Sequence, residues 1–243
     1  MVDRALVVAA ARGANRGRGT IAHRSASRRS RRGRQAHLGS APIALPSVST
    51  HPEQGFLDAL AAVGQGLDEI GAPWMIIGGV AVIALGVPRL TVDIDATIIA
   101  AHLDLERLVD ALGRRGIEPR IPDASTFARE RHVFLGVHRP SGTPVDVSLA
   151  WLPFEEEALR TSQVRDYAGV QMRIPRPEDL LIYKLIAARP RDLEDAEGLL
   201  ILHGDTMDLG RVRDLINQFA ALLDDAGRPK TLERLIRKIG LER

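Results

Sequence analysis

Residues 91–99 read TVDIDATII, a β-type run of Val92, Ile94, Ile98 and Ile99 interrupted by Asp93 and Asp95. Alternate side chains of a strand share a face, so both carboxylates are expected on one side with Ile94 on the other. Taking a single unpaired carboxylate out of water costs several kcal/mol, and two on one face also repel each other. Such a strand calls for something positive between its two acids.

Two further features point to the same place. Thirteen residues separate the Gly78-Gly79 pair from Asp93 in GGVAVIALGVPRLTVDIDATI. Glycines at a strand-to-helix junction let phosphate approach backbone N–H groups at the positive end of the helix, although a Gly-Gly pair alone reads equally as a tight turn. Asp146, in PVDVSLAW, is a third carboxylate in apolar β-sequence. If strand 144–150 lies beside 91–99, the three acids meet. Each alone fits a strand-edge aspartate bonded to a turn or an arginine. Together they read as a site for Mg²⁺, which takes one or two carboxylates plus substrate phosphate oxygens. Neither GxGxxG nor a P-loop GxxxxGK[ST] is present, which removes the main signatures of the Rossmann and P-loop folds.

The pattern along the chain gives a mixed α/β half followed by a mostly helical half. FLDALAAVGQGLDEIG has helical spacing and stops at Gly71, WMII at 74–77 is a short buried strand, and VAVIALG is a short helix closed by Gly86. Asp104 is placed to cap the helix DLERLVDALGRR. HVFLGVHRPSGTPVDVSLAW predicts a hairpin, EEEALR a short helix and DYAGVQMRI a second hairpin, before four helical segments. The expected division is an arm over 1–50, a catalytic domain over 51–175 and a helical domain over 176–243.

Several charged residues sit near this frame. Arg89, just before the carboxylates, reads as a phosphate neutraliser or as a surface arginine. Lys184 follows Leu180 and Leu181 on one helical face, so it either snorkels from the core or reaches a phosphate. With three lysines against thirty arginines in the chain, the ligand reading is preferred. Asp192 and Asp195 share a helical face and can orient Lys184 or an acceptor, or serve as exposed caps. The seven histidines show no metal-ligand spacing, and Trp74 and Trp151 read as core.

The absence of cysteine excludes disulfides and thiolate zinc sites and makes a reducing cytoplasm the expected setting. No apolar run approaches the roughly 18–20 residues of a membrane span. The net charge of +2 is uneven: residues 1–50 hold ten arginines and one acid, or +9, leaving −7 on the rest. The Arg-, Ser- and Gly-rich arm has no helical or strand periodicity and is expected to be disordered by itself. It reads as a nucleic-acid tether, a targeting peptide, or a translation start placed upstream of the domain.

Gly78-Gly79, the spacer, Asp93-Ile94-Asp95 and the later Asp146 resemble the minimal nucleotidyltransferase signature of the polymerase-β-like superfamily. Pro88-Arg89, Thr91 and the downstream Asp179-Leu180, Lys184-Leu185, Arg191-Asp192 and Asp195 are similar to the AbiEii/MenT-like toxin branch, over roughly residues 55 to 205. Val80 stands where many members carry a serine that contacts the triphosphate. The resemblance implies a nucleotidyltransferase fold, a small mixed sheet with flanking helices, and transfer of a nucleoside monophosphate from an NTP to a hydroxyl. It implies two Mg²⁺ ions held by Asp93, Asp95 and Asp146, with Gly78, Gly79, Arg89, Thr91 and Lys184 on the nucleotide. The implied partners are an RNA (tRNA) acceptor and an antitoxin protein; a small-molecule acceptor, or nucleotide binding without turnover, is the alternative.

Because the arm offers no apolar periodicity with which to offset its ordering entropy, deleting residues 1–50 is expected to leave the melting temperature nearly unchanged. A drop of many degrees in a thermal scan would show that the arm packs on the body.

Overall fold

In the first helix, α1 (Gln54–Ile70), Ala59, Leu60, Val63 and Leu67 are buried on one face, and the helix ends at Gly71 with φ +76°. The computed structural model describes residues 54–99, 101 and 103–241; the arm expected over 1–50 lies outside these described residues. Next come a fully buried strand, β1 (Trp74–Ile77), and a short helix, α2 (Gly78–Ala84), which starts at the glycine pair itself. Strand β2 (Ile94–Ile99) is shorter than its sequence suggests. Residues 91–93 are irregular, and Val92, read as part of the apolar run, is 73% exposed, as is Leu90 at 79%. Asp93 therefore stands just ahead of the strand, and only Asp95 lies within it.

Helix α3 (Leu105–Gly113) is capped as expected: the Asp104 carboxylate accepts the N–H groups of Glu106 and Arg107 at 3.1 and 3.3 Å. The three-residue β3 (Ile117–Pro119) and the polar α4 (Ala124–Arg131) carry too little periodicity to be read from sequence. The hairpin of β4 (Val133–His138) and β5 (Thr143–Ala150) follows, then α5 (Pro153–Arg160) and the second hairpin, β6 (Gln163–Tyr167) with β7 (Val170–Ile174). Four helices close the chain: α6 (Pro177–Ala187), α7 (Pro190–His203), α8 (Leu209–Leu223) and α9 (Gly227–Lys238). Trp74 is buried, whereas Trp151 is half-buried, tilted against His132 at a ring separation of 5.3 Å. Among the described residues no helix is long and apolar enough to cross a membrane.

The main sheet has strand order β1-β2-β5-β4-β3, with β2 and β5 parallel and every other pair antiparallel. On one face of the β2–β5 pair, Ile94, Ala96 and Ile98 oppose Val145, Val147 and Leu149. All six are buried in the core, which fixes the register because a one-residue slip would invert the faces. The other face then has to carry the alternating polar residues, among them Asp95 beside Asp146.

One fully buried carboxylate pins two arginines of the helical half together and touches the sheet half through Thr161. Asp179, in the first turn of α6, accepts from Arg176 Nε at 2.9 Å, Arg211 Nη1 at 2.7 Å and Thr161 Oγ1 at 3.4 Å. Replacing it by alanine leaves two largely covered guanidinium groups without their shared anion. Asp179→Ala is expected to cost about 3 kcal/mol or more in urea denaturation. A loss below 1 kcal/mol would show that the pin is dispensable.

Candidate active site

Asp95 and Asp146 are direct register partners on parallel strands, and Ile77 and Leu135 flank them in the same row. Their carboxylates therefore stand side by side on one face. Asp93, two residues earlier, is joined to the loop by Thr91, whose hydroxyl donates to Asp93 Oδ1 at 2.9 Å.

The two glycines make room for this arrangement. A Cβ on Gly78, whose φ is +63°, would lie 2.0 Å from Asp95 Oδ2 and 2.8 Å from Asp95 Cβ. Only glycine takes that backbone conformation at low cost, and only glycine leaves the space. A Cβ on Gly79 would meet Thr91 Oγ1 at 2.5 Å and Arg89 Cζ at 3.0 Å. The pair thus admits the acidic strand and its preceding loop.

Positive charge comes mainly from the helical half. Lys184, buried on α6, contacts Asp195 at 2.9 Å and Asp192 at 3.3 Å. Arg89 also binds Asp195, so this arginine is an ion-paired, covered residue. Arg189 holds Asp192 at 2.6 Å, and Arg191 donates to the Leu90 carbonyl, tying the 86–93 loop to α7. On the sheet side Arg120 pairs with Asp146. Lys184, Asp192, Asp195 and Arg89 thus form one network. Sequence reasoning missed Arg120 and Arg189; the only signal for Arg189 was its three-residue spacing to Asp192, and none marked Arg120.

These charges do not overcome burial at every acid. Burial pushes the Asp95 carboxyl up to about 6; Asp93 adds to the rise, while Lys184, Arg189 and Arg89 oppose it. Burial pushes Asp146 up to about 8 against the opposition of Arg120, with Asp95 and Asp93 adding. Asp192 behaves the other way: despite burial, Arg189 and Lys184 hold it below the usual carboxylate range. Burial is thus the main reason that the Asp95 and Asp146 carboxyls resist ionisation, and a divalent cation between them would favour their charged forms. Among the described residues no three His, Asp or Glu side chains form a ready-made metal cage. A hard cation here would take the carboxylates it can reach and complete its shell with substrate oxygens, and that donor set suits Mg²⁺.

Solved structures share this fold of a mixed sheet with flanking helices. The antibiotic-resistance factor ANT(2'')-Ia is similar at a TM-score of 0.53, with 18% identity over 71% of this chain and 97% of that one. The same factor in complex with adenylyl-2''-tobramycin gives 0.48, with 20% identity over 70% and 98%. JHP933 from Helicobacter pylori gives 0.43, with 18% identity over 79% and 93%. At 18% identity the likeness to the first of these shows the fold alone. By sequence, residues 58–236 match the family described as a nucleotidyltransferase of unknown function, DUF6036, and the chain belongs to that family. No curated protein matches it.

The two raised carboxyls set a pH dependence. Both bind a proton more tightly in the folded chain than at the ordinary value of 3.8, so their contribution to folding stability is highest below that value. Without divalent cation it should fall as pH rises, through about 6 for Asp95 and about 8 for Asp146. Asp95→Asn should flatten the lower part of this slope and be about 2 kcal/mol more stable than the parent at pH 8. Saturating Mg²⁺ should flatten the slope of the parent. Denaturation series at pH 4.5, 6 and 8 check this, and a parent stability that rises with pH would contradict it.

Proposed function

We propose that the protein is a Mg²⁺-dependent enzyme that transfers a nucleoside monophosphate from a nucleoside triphosphate to an acceptor hydroxyl. The observation that carries this reading is the direct register of Asp95 with Asp146, with Asp93 just ahead of the strand and Asp95 lodged against Gly78. Asp93 and Asp95 would hold a cation against the triphosphate, and Asp146 would hold the one that serves the acceptor. When bound, such cations stabilise charge on the entering and leaving oxygens of an in-line displacement. The acceptor hydroxyl gives up its proton to solvent and its oxygen bonds to the α-phosphorus as the bond to the bridging oxygen breaks and pyrophosphate leaves.

The chain's own residues prepare that event. Gly78 and Gly79 keep the strand end open, Thr91 orients Asp93, and Arg191 secures the loop between them. Arg89 and Lys184 are the cations placed for phosphate oxygens, and Asp192 and Asp195 hold Lys184 extended until the triphosphate enters. The catalytic unit is taken as 51–175, with the helices of 176–243 supplying Lys184 and its partners.

Two acceptor classes compete. The ten arginines of residues 1–50 favour RNA, and with the motif resemblance they support a tRNA-modifying toxin with an antitoxin partner. The −7 carried by residues 51–243 favours a small, cationic or neutral acceptor, as in the adenylyl-2''-tobramycin complex of ANT(2'')-Ia.

Incubation with each α-labelled NTP and Mg²⁺, in the presence of total tRNA or of tobramycin, tests the reading and separates the classes. Label is expected on one acceptor, with at least a 100-fold loss in Asp95→Asn and Asp146→Asn. Nucleotide binding without label transfer or pyrophosphate release to either acceptor would favour the non-catalytic alternative.

A further inference from the structure

One row of residues crosses the main sheet at the site: Leu135 on β4, Asp146 on β5, Asp95 on β2 and Ile77 on β1. Arg120 extends that row. It follows β3 directly, and its backbone N–H donates to the Leu135 carbonyl at 2.9 Å, on the strand that flanks Asp146. The β3–β4 pairing thus fixes where the side chain starts, and its Nη2 reaches Asp146 Oδ1. Asp146 is 7% exposed in its side chain, whereas Arg120 is 31% exposed, so the arginine lies on the solvent side of the pair.

We propose that Arg120 is a positioning residue that acts as a built-in counter-cation. In the resting protein its guanidinium takes the place beside Asp146 that a divalent cation would fill, and it must give way before that cation can bind. This rests on the reading of Asp146 as a cation ligand. A guanidinium stays charged at every working pH, so the competition is permanent. Arg120 is the cation hydrogen-bonded to Asp146, while Lys184, Arg89 and Arg189 are engaged with Asp195 and Asp192, so a divalent ion brings more charge to Asp146 than one guanidinium and can displace it. Arg120 thereby keeps Asp146 ordered in the resting protein and lowers the affinity for cation.

Mn²⁺ serves as the probe, with the free ion followed by electron paramagnetic resonance in the full chain. Arg120→Gln removes the charge and leaves a shorter polar side chain, and should bind Mn²⁺ roughly tenfold more tightly, the order of one charge-assisted hydrogen bond. Its melting temperature without cation should fall and recover on adding Mn²⁺. Arg120→Lys, with a compact point charge in place of the fork, should give a smaller gain, and it carries the test if Arg120→Gln does not fold. In an Asp146→Asn background the Arg120→Gln gain should vanish. Unchanged or weaker binding in Arg120→Gln, or the same gain without Asp146, overturns the proposal while leaving the cation site intact if Asp93→Asn still abolishes binding. If no variant and no parent binds Mn²⁺, both the cation-site reading and this proposal fall.

Discussion

Two carboxylates held side by side by parallel strand pairing are the constraint from which most of this structure follows. Asp95 and Asp146 cannot separate without breaking the register, because the opposite faces of their strands are locked by Ile94, Ala96 and Ile98 against Val145, Val147 and Leu149. The apolar side of the sheet forces the acidic side into place. The charges then have to be managed from outside the sheet. Lys184 and Arg189 reach in from the α6–α7 turn, Arg89 from the loop and Arg120 from the end of β3. Burial still holds the carboxyls of Asp95 and Asp146 above the ordinary carboxylate range despite these cations.

The acids were legible in the sequence because each breaks a local pattern. A carboxylate inside an apolar β-run stands out at Asp93, Asp95 and Asp146, and a lysine among thirty arginines stands out at Lys184. The mixed sheet followed by four helices was legible for the same reason, since long amphipathic stretches such as 54–70 and 209–223 announce themselves. What escaped depends on partners distant in the chain. Arg120 and Arg189 look like any other arginine until the fold sets them beside Asp146 and Asp192. Strand β2 starts three residues later than its β-branched residues suggest, because Arg89, Thr91 and Arg191 hold the loop by contacts to Asp195, Asp93 and Leu90. Strand β3, only three residues long, exists through its pairing with β4.

The glycine pair shows how a correct sequence signal can carry a different physical reason. Read alone, Gly78-Gly79 suggests backbone laid open to phosphate. In the fold the same two positions first accommodate protein: Asp95 occupies the volume of a missing Cβ at Gly78, and Arg89 and Thr91 crowd Gly79. Both uses demand the absence of a side chain, so the spacing of the motif is explained by packing before any nucleotide is considered.

The ion pair between Arg89, in the loop before β2, and Asp195, on α7, has a consequence for how proteins of this kind can diversify. Asp195 also holds Lys184, so one carboxylate couples the approach to the acidic strand with the turn between two helices of the other half. A helical tail from a relative could be grafted on only if it brought its own acid to the same spot and its own lysine one helix away. Exchange of whole segments is therefore a poor route to new acceptors for this architecture. Its variation should concentrate on rims such as Leu90 and Val92, which face solvent beside the site and carry none of the charge balance.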